Sequence, residues 1–211
     1  MKQIGSTRLV TLLSCILALN LSFCANDGGE ETTSSGSTSS SSTSKKTFMT
    51  AATFDGNLGG SAGADAKCMA DTNYTDQVGG TGTYKAMIAD VNRKASITPN
   101  IGDGQIDWVL QPSTTYVRPD GTIIMTTGTN GLFDFNGGDQ LTNSLDGLSP
   151  IYFTGIQPTW VNNTTFHCAD WTTNSISNAA VSGSGTEING LAINENNPIC
   201  DTMGKLFCVE Q

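Results

Sequence analysis

The sequence predicts an α+β domain over residues 47–211, built from short strands, one or two short helices and long loops, and stapled by disulfides. Three observations predict it. Segments rich in Thr and aromatic residues stand at both ends of the region, one stretch has helical periodicity, and four cysteines are spread along the chain.

KTFMTAATFDG opens the domain and reads as a strand closed by a turn at Asp55-Gly56. Glycines 56, 59, 60 and 63 then predict irregular chain. In GADAKCMADTNY, Ala64, Cys68 and either Met69 or Ala70 recur at helical spacing, which puts Cys68 on the inner face of a short amphipathic helix. Next, Tyr84, Ala86, Ile88 and, at the end of the run, Asp90 alternate with Lys85, Met87 and Ala89, as in a half-buried strand. From about Ile97 to Ser149 the chain is punctuated by Gly, Asn, Asp and Pro, and PDG at 119–121 between two apolar pairs signals a hairpin. So much turn chemistry predicts a long loop excursion, the kind of segment where binding residues concentrate. Strand character resumes in PIYFTG (150–155), TFHCADWTT (165–173) and KLFCVEQ (205–211).

The first 23 residues have the layout of a secretory signal peptide: Lys2 and Arg8 lead into an uncharged run of 15 residues, Leu9 to Phe23. That run is shorter than the roughly 20 apolar residues of a membrane-spanning helix. Cys24 ends it in LSFC, which resembles the lipobox of bacterial lipoproteins, although bulky Phe23 stands where a small residue is usual. The resemblance implies lipidation at Cys24. LLSC, Leu12 to Cys15, fits by residue type but leaves too short an apolar run, and ordinary cleavage after Cys24 would instead give a secreted protein. Residues 24–46 then form a lipidated N-terminus and a disordered tether. ANDGGEETTSSGSTSSSSTSKK holds no apolar side chain larger than alanine, so it cannot bury enough surface to offset its ordering entropy. Its reach is roughly 25 Å.

Within residues 47–211, sixteen acidic residues stand against six basic ones. Such a surface repels phosphate backbones, and no basic stripe with interleaved aromatics is present, so nucleic acid is excluded as a partner class. Cys68, Cys168, Cys200 and Cys208 are an even number in an exported chain, which argues for two disulfides, with three pairings open. Their spacings are unlike those of structural zinc sites, and His167 is the one histidine, so neither a metal nor another cofactor is expected.

GSAGADAKCMADTNY, then GTYKAMIAD, PIYFTG, FHCADWTT and finally ICDTMGKLFCVEQ resemble, in that order, the endostatin domain that closes certain collagens, a variant of the C-type lectin-like fold. The chain is more closely similar to the leptospiral endostatin-like surface lipoproteins. The resemblance spans residues 47–211, loosely in the middle, and implies a mixed, mainly antiparallel sheet. It also implies a nested pairing, Cys68 with Cys208 and Cys168 with Cys200.

Candidate sites carry plainer readings beside functional ones. His167 and Asp170 are close in sequence, but no G-x-S-x-G elbow accompanies them, and the chain is not expected to be an enzyme. Calcium-dependent lectins mark their sugar site with Glu-Pro-Asn or Gln-Pro-Asp, whereas the strings here are Gln111-Pro112-Ser113 and Gln157-Pro158-Thr159; NENNPI before Cys200 lacks the family's tryptophan. Arg93-Lys94, the domain's one adjacent basic pair, reads as a solvated turn. Trp171 reads as core, and Trp160 as core before partner anchor.

The function these resemblances imply is that of an adhesin: a lipid-anchored, surface-exposed protein of the outer membrane that binds laminin and fibronectin, with factor H and plasminogen as further partners. Two alternatives stay open. One is a carbohydrate-binding lectin, with or without calcium; the other is an envelope structural protein without a host ligand. For location, the alternative to the outer membrane is a secreted or periplasmic protein. The contact residues for any such ligand are not specified by the sequence.

Overall fold

The computed structural model describes residues 44–135, 138, 140–148 and 151–211; the signal peptide, Cys24 and most of the tether lie outside the described residues. Strand β1 (Lys45–Met49) is followed by helix α1 (Gly60–Ala70), helix α2 (Thr72–Asp76) and strands β2 (Tyr84–Ala86), β3 (Thr115–Val117), β4 (Ile123–Thr126), β5 (Tyr152–Phe153), β6 (Ser182–Gly183) and β7 (Phe207–Glu210). The main sheet has the order β2-β7-β1-β3-β4, and β5 and β6 form a small antiparallel pair. Every pairing in the main sheet is antiparallel except β1 with β3. The architecture is therefore mixed α+β with a mainly antiparallel sheet.

The domain begins two residues before the expected boundary. Lys45 and Lys46 lie in β1, in register with Tyr116 and Val117 of β3, and the Lys46 amide donates to the Glu210 carboxylate at 2.7 Å. Polar residues that read as tether are thus drawn into the sheet by backbone pairing, which composition does not register. Alternation along the strands divides the interior in two. Phe48, Cys208, Tyr84 and Ala86 point to one layer, where Ala64 and Cys68 of α1 and Trp171 pack. Met49, Phe207 and Val209 point to the other, which the loop excursion fills with Val109, Leu110, Leu132, Phe133 and Trp160. The long loops are therefore half of the core.

Trp160 holds this second layer together. It is buried, donates from Nε1 to the Phe133 carbonyl at 2.9 Å, and stacks on Phe135 with ring centroids 5.8 Å apart. Core is the role the sequence favoured for it. The PDG hairpin is present as the antiparallel β3–β4 pair. The helix is longer at its start than the glycines imply, since Gly60 and Gly63 lie inside α1. Gly63 is required there because a Cβ would come within 2.2 Å of the Leu58 carbonyl oxygen. The strand after it is shorter than the alternation implies. Met87, Ile88 and Ala89 are all buried beyond the end of β2, because both layers close over the chain at that point.

Asp71 joins the first strand to the helices. Its Oδ1 accepts from the amides of Ala51 and Asn73, both at 2.9 Å, and Oδ2 from that of Ala52 at 3.1 Å, so one carboxylate caps α2 and ties down the chain leaving β1. Asp71→Ala is expected to lower stability by about 2 kcal/mol, through the lost cap and the orphaned amides, in urea denaturation. Asp71→Asn should restore part of it.

Burial raises the tyrosine hydroxyls. Tyr116 is pushed up to about 12 by burial, against the opposing hydrogen bond from the Gln111 amide. Tyr84 is raised further by burial and then by Glu210, and Tyr152 by burial alone. A group whose folded pKa lies above its unfolded value stabilises the fold fully below the unfolded value, about 10 for tyrosine, and loses that stabilisation as pH rises through the folded value. Stability is thus expected to fall between about pH 10 and 12 and beyond. Tyrosinate absorbance and near-ultraviolet circular dichroism should then change together, in one cooperative step. Ionisation of these three tyrosines before any loss of tertiary signal would contradict this.

Candidate functional site

Two segments that the sequence leaves apart meet at one cavity. The first is the loop after β2, Asp90 to Ala95. Asp90 is 2% exposed; its Oδ1 accepts from the amides of Asn92 and Arg93, both at 2.8 Å, which folds the loop into a tight Asx turn. Asn162 reaches across from the second segment and donates from Nδ2 to the carbonyls of Asp90 at 2.6 Å and Arg93 at 2.9 Å.

Arg93 anchors this loop from beneath. It is 1% exposed and Lys94 is half-buried in a backbone bridge with Ile106, so the pair is not the solvated turn its charge suggests, because backbone pairing and two aspartates draw it into the fold. Its guanidinium binds Asp65 of α1 through Nη1 and Nη2 at 2.8 and 2.7 Å, Asp107 through Nε and Nη2 at 3.1 and 2.6 Å, and the Ala86 carbonyl through Nη1 at 2.9 Å. All five N–H donors are used. Burial by itself would lower the Arg93 pKa, but Asp65 and then Asp107 outweigh it and raise the pKa above its ordinary value. Asp107 responds in kind: burial pushes its carboxyl up, and the hydrogen bonds from Lys85 and Arg93 bring it below the usual carboxylate range.

The second segment ends in an unusual backbone. TFHCADWTT reads as a strand, but its ladder contacts are confined to His167, with Ala180, and Thr172, with Asn57, and the four residues between them turn the other way. Cys168, Ala169, Asp170 and Trp171 have φ of 49°, 50°, 55° and 61°, a turn of left-handed helix made without glycine. Each such residue costs roughly 1–2 kcal/mol, so the turn persists only because its surroundings over-determine it. The Trp171 amide donates to the His167 carbonyl at 2.8 Å, and Trp171 Nε1 to the Ala89 carbonyl at 3.0 Å. Cys168 is bonded to Cys200, and Asp170 Oδ1 accepts from the Val91 amide at 3.2 Å, joining the turn to the Asp90 loop. Gly155, with φ 67°, makes room for it, since a Cβ there would meet the Ala89 carbonyl at 2.4 Å. No local signal announces such a turn. Its determinants are a disulfide and contacts far away in sequence.

His167 caps the turn. Its Nδ1 is 2.8 Å from the Asp170 amide and 3.2 Å from Asp170 Oδ1, contacts that make opposite demands on a proton. The backbone N–H is a fixed donor and the shorter contact, so Nδ1 accepts and Nε2 carries the hydrogen. His167 and Asp170 are thus brought together as a structural pair. A cavity of about 120 Å³ opens beside them, lined by Asp90, Val91, Lys94, Asn162, Asn163, Thr164 and His167.

The four domain cysteines form two disulfides in the nested pairing that the resemblance implies, Cys68–Cys208 and Cys168–Cys200. Cys24 lies outside the described residues. Among the described residues no three His, Cys, Asp or Glu side chains converge to hold a metal ion, and no helix is long and apolar enough to cross a membrane. Sequence reasoning missed Asp90 and Asn162 as site builders. Asp90 falls on the inward phase of the Tyr84–Ile88 alternation, a buried acid where an apolar residue belongs, and that was the available signal.

No curated protein matches the chain. A family model described as "Protein of unknown function (DUF1554)" matches residues 51–188. The matched stretch runs from the end of β1 past β6 and takes in both walls of the cavity, the left-handed turn, Cys68 and Cys168. It spans well over half of the sequence, and the chain therefore belongs to the DUF1554 family.

Proposed function

We propose that this protein is a bacterial surface lipoprotein acting as an adhesin, anchored through Cys24 in the outer membrane, with a C-type lectin-like, endostatin-like domain that binds laminin and fibronectin, and further factor H or plasminogen. The observation that carries the reading is the disulfide frame: the pairing implied by the leptospiral endostatin-like family is the one present, and it ties α1 to the last strand. The central placing of β1 between β7 and β3, and the long excursion between β2 and β5, support the finer fold assignment. In this reading the protein is not an enzyme and uses no cofactor. A rigid, stapled scaffold presents loops without paying much ordering entropy on binding.

The oxidised protein should bind immobilised laminin, fibronectin or factor H saturably, with little change in EDTA and a marked loss in reductant. Absence of saturable binding to all of them would sink the adhesin reading. Protease added to intact cells should remove the domain if it is surface-exposed; protection would favour an envelope structural role. A lectin reading has one observation in its favour, the small cavity beside His167, whose wall includes the polar side chains of Asp90, Lys94, Asn162 and Asn163.

A further inference from the structure

The geometry points to the cavity between the Asp90 loop and the Asn162–His167 segment as a binding site for a small ligand that bears a carboxylate with a hydroxyl or ammonium donor next to it. This assignment does not depend on the adhesin reading.

The polar groups lining the cavity are of two kinds. Lys94, Asn163 and His167 supply donors. Asn163 spends its Oδ1 on the amides of Thr165 and Phe166, at 2.9 and 2.8 Å, which leaves its Nδ2 hydrogens unused. His167 spends Nδ1 on the Asp170 amide, which leaves Nε2–H. The Lys94 ammonium makes no ion pair with any described residue, although acids abound in the chain. An ammonium, a carboxamide and an imidazole N–H sharing one small cavity form a donor set that suits a carboxylate.

Asp90 supplies the complementary group. Its Oδ2 is buried and has no hydrogen-bond partner among the described residues, which marks it out among their buried side-chain polar atoms. Leaving a buried acceptor unpaired is costly, and an orphan of this kind on a residue that lines a cavity calls for a donor from outside the chain. A bare carboxylate ligand would be repelled by it. A carboxylate carrying a neighbouring hydroxyl or ammonium would satisfy both kinds of group, as an acidic sugar or an α-amino acid would.

The site is also held rigid, which a binding site for so small a ligand requires. Arg93 clamps one wall to α1, and the left-handed turn with the Cys168–Cys200 bond holds the other. Val91 is half-exposed at the rim, where the apolar face of a ring could rest.

The test is calorimetric titration of the full-length oxidised protein with glucuronate, glycine, acetate and glucose, alongside amide chemical shifts. Saturable binding of glucuronate or glycine is expected, with acetate and glucose each at least about tenfold weaker, and shifts clustered at residues 90–94 and 162–167. Preference between the first two names the source of the carboxylate. Lys94→Met, and His167→Asn, which keeps an acceptor for the Asp170 amide, should each weaken binding about tenfold. Asp90→Asn should bring acetate closer to the other two. Binding of neither glucuronate nor glycine, glucose binding equally well, or affinity unchanged in both Lys94→Met and His167→Asn overturns the assignment. A loss of laminin binding with glucuronate binding intact would instead count against the adhesin reading alone.

Discussion

Replacing Cys68 and Cys208 together by alanine is expected to produce the largest loss of stability available from a single link, about 5 kcal/mol in chemical denaturation of the oxidised protein. The bond spans 140 positions, so opening it returns to the unfolded chain the freedom of a loop that includes most of the domain. In the folded state it joins the inner face of α1 to the second residue of β7, and both sulfurs are fully buried in the layer with Phe48, Tyr84 and Trp171. Removal of Cys168 and Cys200, 32 positions apart, should cost about 3.5 kcal/mol by the same chain-entropy argument. Its local consequence is different in kind. The left-handed turn would lose the bond that holds it, and changes in amide shifts should concentrate at residues 167–173 and in the Asp90 loop. Equal and delocalised effects of the two pairs would show that the turn is held by packing alone.

Arg93→Ala is expected to destabilise by about 3 kcal/mol, since it deletes the buried cation that Asp65 and Asp107 share and orphans the Ala86 carbonyl, leaving Asp65 without an ionic partner while the partly exposed Asp107 keeps Lys85. Arg93→Lys should recover little, because an ammonium cannot serve Asp65, Asp107 and the Ala86 carbonyl with a planar fork. The pair Arg93→Met with Asp65→Asn should be less harmful than the sum of the single changes, as coupling through a shared hydrogen-bonded pair requires. The same variants read out the cavity. If Arg93 positions the Asp90 loop, Arg93→Lys should alter the amide shifts of Val91 and Lys94 even where the fold persists. A cost below about 1 kcal/mol for Arg93→Ala would place the cluster with ordinary surface ion pairs.

The elements that local signals encode were legible in the sequence. Helix α1 announced itself through Ala64 and Cys68 at helical spacing, the β3–β4 hairpin through PDG, and β7 through the strand character of KLFCVEQ. Each rests on contacts within a few residues, and a period or a turn dipeptide is enough to specify them. Trp160 and Trp171 were legible as core for a related reason, since two large apolar rings have few other places to go.

What the sequence by itself determined is thus the inventory: a tryptophan-bearing core, one amphipathic helix, strands at both ends and an even set of cysteines. Only the tertiary structure decided how that inventory is used. It drew Lys45 and Lys46 into the sheet, buried Arg93 between two aspartates, turned Cys168–Trp171 left-handed, and set Asp90 against His167 across a cavity. These outcomes share one physical reason. Each depends on partners dozens of residues away whose combined hydrogen bonds, burial and covalent link outweigh the local preference, and local preference is all that a short window of sequence can express.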